Sequence, residues 1–257
     1  MMKKYITLGF IAFFASTSFI FADDHGQPEY FNFQVNLCKL NKGSSIDKYS
    51  DSVNDYIEWS KENDVEVYVA RQTPIFPNDN FTSDRGFDFQ EILAGSHEVT
   101  GKAWDLWRGT KEGQKLAENW QKNAECYVKW GHAYPQYVDQ EALANDDDRV
   151  ASWNWCSRNE GVSYEDLQAQ HEIMVSEVEK DSNGLSGWII MAPQTGAANA
   201  PGDFAHIAIF KDIESYMEYK ESFASGGWKG YVDYNENFAS CRGEELFSDI
   251  VLNDPNN

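Results

Sequence analysis

The sequence predicts an α+β protein made of two tandem β-α-β-β-α-β units. Three observations carry that prediction. The signature N-x-C-x-x-N-x-G-x-S runs from Asn36 to Ser45 and returns from Asn154 to Ser163. Downstream landmarks recur in the same order: Ala70, Gln72 and Thr73 against Ala192, Gln194 and Thr195; Asp88 and Ile92 against Asp203 and Ile207; Ala124 and Cys126 against Ala239 and Cys241. Each half also shows the same succession of two-residue and helical periodicities. Two copies at so long a period indicate a duplicated domain and not a solenoid.

In chain order, residues 1–22 place Lys3 and Lys4 before an apolar run that ends at Ala22, which predicts a secretory signal peptide and an exported, periplasmic or secreted, chain. No later apolar run approaches the ~20 residues of a membrane span. The first unit is predicted over 29–140. It opens with FNFQVNLC, where Phe31, Phe33, Val35 and Leu37 alternate with Asn32, Gln34, Asn36 and Cys38. That alternation marks a half-buried strand, and the apolar set is expected to meet the helices. A turn at Gly43 and a helix cap at Ser45 follow, then a helix burying Tyr49, Val53, Tyr56 and Ile57. VEVYVARQ and FDFQEIL read as the next strands, and a helical region broken at Gly109 leads to a strand around CYVKWG.

An acidic connector is predicted over 141–148 and the second unit over 149–254. Its first strand sets Ala151, Trp153 and Trp155 against Ser152, Asn154 and Cys156. Gly161 and Ser163 repeat the turn and the cap, before a helix with Leu167, His171, Met174, Val175 and Val178 on one face. GWIIMAPQ and DFAHIAIF are the next strands, a helical region breaks at Gly226, and ELFSDIVL closes the unit.

The order β-α-β-β-α-β is the ferredoxin-like split unit. With it the chain resembles the dimeric α/β-barrel superfamily of antibiotic-biosynthesis monooxygenases, as a fused tandem forming a pseudo-twofold barrel over about residues 29 to 254. In such a unit the end of the first strand lies beside the start of the fourth. The four cysteines allow three pairings, and this topology favours Cys38–Cys126 and Cys156–Cys241 over a link between the copies. The resemblance implies a ligand cavity on the sheet face away from the helices. It also implies an asparagine on the first strand and a tryptophan on the second helix, which Asn36 or Asn154 and Trp104 or Trp120 match. Glu91 and His206 fall at equivalent places on the third strands, and on a shared lumen face they would serve as acid and base.

The other patterns are less specific. The asparagines also read as strand-end hydrogen-bonding groups repeated by the duplication. His171 reads first as a core histidine and second as a ligand-binding side chain. The run from Asp233 to Glu244 imitates a calcium loop but has Phe238 where the turn needs glycine. No metal site, cofactor motif or nucleophile elbow is read, and the superfamily's haem-ligating histidine has no counterpart in the second helices. A formal charge of −21, from 42 acidic and 21 basic residues, argues against a nucleic-acid partner. The expected product is a monomer that binds a small apolar or aromatic molecule, with cofactor-free monooxygenase-like chemistry; the alternative is a noncatalytic envelope scaffold or protein-interaction module.

Overall fold

The computed structural model describes residues 30–78, 86–144 and 147–255. The predicted leader 1–22, connector residues 145 and 146, and Asn80-Phe81-Thr82, which reads in the sequence as a formal N-glycosylation sequon, lie outside the described residues. The chain runs β1 (Phe31–Leu40), α1 (Ile46–Glu62), β2 (Tyr68–Phe76), β3 (Phe89–Gly95), α2 (His97–Gly109), α3 (Lys111–Asn123) and β4 (Ala124–Val138). A short α4 (Gln140–Ala144) takes up part of the expected connector, and Asp148 already opens β5 (Asp148–Arg158). The succession then repeats through α5 (Tyr164–Val178), β6 (Leu185–Pro193), β7 (Phe204–Phe210), α6 (Ile213–Ser222), a π-helical turn over Phe223–Gly227, α7 (Trp228–Asn237) and β8 (Ala239–Asn253). No described helix is long and apolar enough to cross a membrane.

The eight strands close into one antiparallel barrel in the order β1-β3-β2-β8-β5-β7-β6-β4. Each half supplies four adjacent strands, and the joints are β2 on β8 and β4 on β6. The repeated signature does the same work in both halves. Gly43 and Gly161 take the left-handed turn with φ of 86° and 85°, which favours glycine. Ser45 and Ser163 cap α1 and α5 by accepting from the backbone N–H groups of Lys48 and Asp166. The side chains of Asn41 and Asn159 donate to the carbonyls of Gln121 and Asn235, fastening each turn to the helix before the last strand. Cys38 stands opposite Cys126 and Cys156 opposite Cys241, and both pairs are disulfides with Cα–Cα distances of 4.1 and 4.0 Å. One landmark is not equivalent. Ala70 and Gln72 lie within β2, whereas β6 ends at Pro193, one residue before Gln194.

The strand faces are inverted relative to the expectation. Phe33 and Val35, with Phe31 and Leu37 beside them, pack inside the barrel against Ile92, Trp153, Met191, Ile207 and Phe247. The polar set of β1 turns to the helices: Asn32 Nδ2 donates to Thr100 Oγ1 of α2, and Cys38 packs with Tyr49 and Val53 of α1. A closed barrel must fill its own interior, and the bulkiest apolar side chains do so. The helices cover the outer face with indoles and phenols, whose polar atoms need buried partners.

Candidate functional site

In the N-terminal half the outer face of β1 and β3 and the helices α1, α2 and α3 enclose a cavity of about 240 Å³. Asn36 and Gln34 of β1 form part of its wall, and Tyr56, Trp104, Trp107 and Trp120 form much of the rest. The indoles are held in place by backbone geometry. A Cβ on Gly113 would stand 2.5 Å from the Trp107 carbonyl oxygen, so glycine there lets α3 fold tightly onto α2. Trp107 and Trp120 then meet edge to face with centroids 6.0 Å apart, and Tyr56 packs on both.

Hydrogen bonds orient the polar wall. The Gln34 carbonyl Oε1 accepts from the indole N–H of Trp104 at 2.8 Å and of Trp130 at 2.9 Å. Its Nε2 donates to Asn36 Oδ1 at 3.0 Å. Asn36 is 5% exposed, and its Nδ2 has no hydrogen-bond partner among the described residues. The cavity therefore presents two amide N–H donors to whatever fills it.

Glu91 lies behind this wall, opposite Asn36 in the β1–β3 register. It is fully buried, accepts from Tyr49 Oη at 2.7 Å, and pairs with Arg71 Nη2 at 3.0 Å. Burial raises the Glu91 carboxyl, and Arg71 and Tyr49 pull it back. Tyr49 Oη also lies 3.5 Å from Cys38 Sγ, so the group sits against the disulfide. Glu91 is thus committed to an internal ion pair.

The equivalent space in the C-terminal half holds a different network. Trp188 Nε1 donates to His206 Nδ1 at 3.1 Å, so neutral His206 carries its proton on Nε2. That nitrogen donates to Tyr234 Oη at 3.1 Å, and Tyr234 in turn donates to His171 Nε2 at 2.8 Å. Burial lowers His171 to about 4; burial, then the neighbouring His171, lowers His206 to about 3. The shared Glu91–His206 cavity does not form. Ile92 and Ile207, the next residues, point into the barrel, which sends Glu91 to α1 and His206 to α7 on opposite halves. His171 lines neither of the two principal cavities. Asn154 accepts from the Gly243 backbone N–H at 3.1 Å, holding the bulge where β8 slips against β5.

The sequence reading therefore brings Asn36, Trp104 and Trp120 to one cavity and leaves Asn154, Glu91, His171 and His206 outside it. It missed Gln34 and Trp130. The signal was a second amide two residues before Asn36, on the same strand face. For metals, Cys156, His206 and Cys241 place ligand atoms within 4.8 Å of one another, but both sulfurs are spent in the disulfide and offer no thiolate. The calcium-like run from Asp233 to Glu244 is divided between the end of α7 and the start of β8, so it forms no loop that could wrap an ion. No histidine stands among the residues that line the helix-side cavity, so they do not fit a histidine-ligated haem.

No family model and no curated protein matches the chain. Solved structures do. A candidate monooxygenase from Lactobacillus acidophilus NCFM aligns over 88% of this chain and 100% of its own, at 13% identity and a TM-score of 0.54. A candidate monooxygenase from Fusobacterium nucleatum aligns over 87% and 93%, at 12% identity and a TM-score of 0.50. A candidate chlorite dismutase aligns over 88% and 96%, at 9% identity and a TM-score of 0.51. The closed eight-strand barrel of this chain is similar in fold to these structures. Identities this low carry the likeness of fold alone, so the activity of this barrel is argued from its own residues.

Proposed function

We propose that this chain is an exported small-molecule-binding α/β barrel, built of two ferredoxin-like halves, with monooxygenase-like chemistry on an aromatic substrate in its N-terminal half. One observation carries the reading: Asn36, whose Nδ2 has no hydrogen-bond partner among the described residues, stands in the wall of a cavity otherwise built largely from Tyr56, Trp104, Trp107 and Trp120. The volume suits a molecule of one or two rings, since a cavity of about 150 Å³ takes benzene. The indoles of Trp104, Trp107 and Trp120 hold the rings, and Asn36 holds a phenol or enol oxygen. Hydrogen-bond donors placed on that oxygen favour its anion, and an electron-rich anion is the form that reacts with dioxygen without a cofactor. The two disulfides support export, because such bonds persist in oxidising compartments.

The test is tryptophan fluorescence during titration with 2-naphthol. Saturable quenching is expected, and Asn36→Leu should weaken it about tenfold, the scale of an orphaned polar contact. Oxygen uptake with 1,4-naphthohydroquinone, above the protein-free rate and lost in Asn36→Leu, tests the oxygenase part. Absence of saturable quenching overturns the binding reading in favour of a noncatalytic scaffold.

A further inference from the structure

A second and larger cavity, of about 570 Å³, lies inside the barrel toward the end that carries the disulfides. That volume is within the range of small-molecule sites. Its walls include Leu37, Phe87, Trp153, Trp155, Met191 and Phe247. It is distinct from the helix-side cavity because β1 separates them: Val35 and Leu37 face this one, Gln34 and Asn36 the other.

One buried polar group on this wall is left open. Gln90 is 5% exposed, and its Nε2 donates to Gln72 Oε1 at 2.7 Å. The Gln72 carbonyl is fully used, since Oε1 also accepts from Trp153 Nε1 at 2.8 Å, while its Nε2 donates to Asp249 Oδ1 at 2.9 Å. The Gln90 carbonyl Oε1 has no partner among the described residues, so this buried side chain offers an open acceptor to the cavity. The charged side chains of the lining are Lys129, Arg242 and Glu245. Lys129 Nζ is tied to the Gly196 carbonyl at 2.6 Å, and Glu245 accepts from the Asn78 backbone N–H at 3.2 Å. Arg242 is exposed and has no hydrogen-bond or ion-pair partner among the described residues. A chain of net charge −21 thus places two cations and one acid around this cavity.

We propose that the barrel interior is a second binding site, for a planar aromatic anion that carries a hydrogen-bond donor at the end remote from its charge. The rings lie against Trp153 and Trp155, the donor meets Gln90 Oε1, and the anionic group meets the Arg242 guanidinium. Such a ligand satisfies the open acceptor and the open cation together, which a neutral hydrocarbon does not.

Fluorescence titration of the full chain with 6-hydroxy-2-naphthoate, 2-naphthoate and 2-naphthol tests the assignment. The hydroxynaphthoate is expected to bind saturably at one per chain. Arg242→Gln should weaken both carboxylates about tenfold, the scale of a charge-assisted bond, and leave 2-naphthol unchanged. Gln90→Met should weaken the hydroxynaphthoate about fivefold and spare 2-naphthoate. Arg242 is exposed, so its variant keeps the fold and the test stands even if Gln90→Met does not fold. Absence of saturable hydroxynaphthoate binding overturns the proposal. So does binding that survives Arg242→Gln but falls with Asn36→Leu, which would place the ligand in the helix-side cavity.

Discussion

Mild acid should weaken this protein through two histidines of the C-terminal half. His171 and His206 sit at about 4 and about 3, held down chiefly by burial, against an ordinary value of ~6.5. Both are bases with depressed folded values, so the unfolded chain takes up protons first. Their contribution to stability is complete above pH ~6.5, shrinks as pH falls below it, and is gone once pH passes the folded values. From pH ~6.5 down to pH ~5.0, at about 1.36 kcal/mol per pH unit, each histidine costs about 2 kcal/mol and the pair about 4 kcal/mol. That sum is an upper bound, because His206 is only partly buried. For a domain of this size it corresponds to a fall in Tm of roughly 8–16 °C. Urea melts followed by circular dichroism at pH 7.5 and 5.0 read the effect directly, on wild type and on His171→Gln with His206→Gln. The acidic surface titrates alike in both proteins, so the difference isolates the histidines. Equal losses in the two proteins would refute the argument.

Glu91→Gln should cost about 3–5 kcal/mol in a urea melt, because it leaves the Arg71 guanidinium buried without its counter-charge. The double variant Glu91→Leu, Arg71→Met should cost less than that single change, and additive costs would argue against a coupled pair. Replacing either disulfide by two alanines should cost about 4 kcal/mol, since each closes a loop of more than 80 residues. A nonreduced peptide map should show Cys38–Cys126 and Cys156–Cys241, and any peptide joining the two halves would contradict the strand register.

The order of strands and helices was legible because each element carries its own period and punctuation. Ser45 and Ser163, Gly43 and Gly161, and the two cysteine pairs are local signals with local causes, and the structure puts each where its chemistry requires. The direction of each strand face was not legible. Alternation shows that Phe33 and Asn36 point apart, but not which side is the interior. Only closure of the sheet decides that, and closure depends on pairings between β2 and β8 and between β4 and β6, far apart in sequence. Asn36 and Trp104 were found because the resemblance names their residue types. Gln34 stands in the sequence as a second amide on the face of Asn36, but that it orients both side chains shows only once Trp104 and Trp130 arrive from two other elements.

The two halves diverge where the signature stops constraining them. Beneath one disulfide stands Glu91 with Arg71 and Tyr49; beneath the other stands His206 with Tyr234, His171 and Trp188. The histidines first suggest that the C-terminal half does the chemistry. Their geometry argues otherwise, because each ring nitrogen that bonds does so within the network, and neither ring lines one of the two principal cavities. In the N-terminal half the ion pair takes the charge out of the wall, Gln34 takes up the indole donors of Trp104 and Trp130, and the Asn36 amide nitrogen is left without a partner among the described residues. The asparagine at the matching place, Asn154, spends its oxygen on a β-bulge. Exchanging the roles is therefore a sharp test of where function lies. Asn154→Leu should change stability through the bulge and leave 2-naphthol affinity intact, whereas Asn36→Leu should do the reverse.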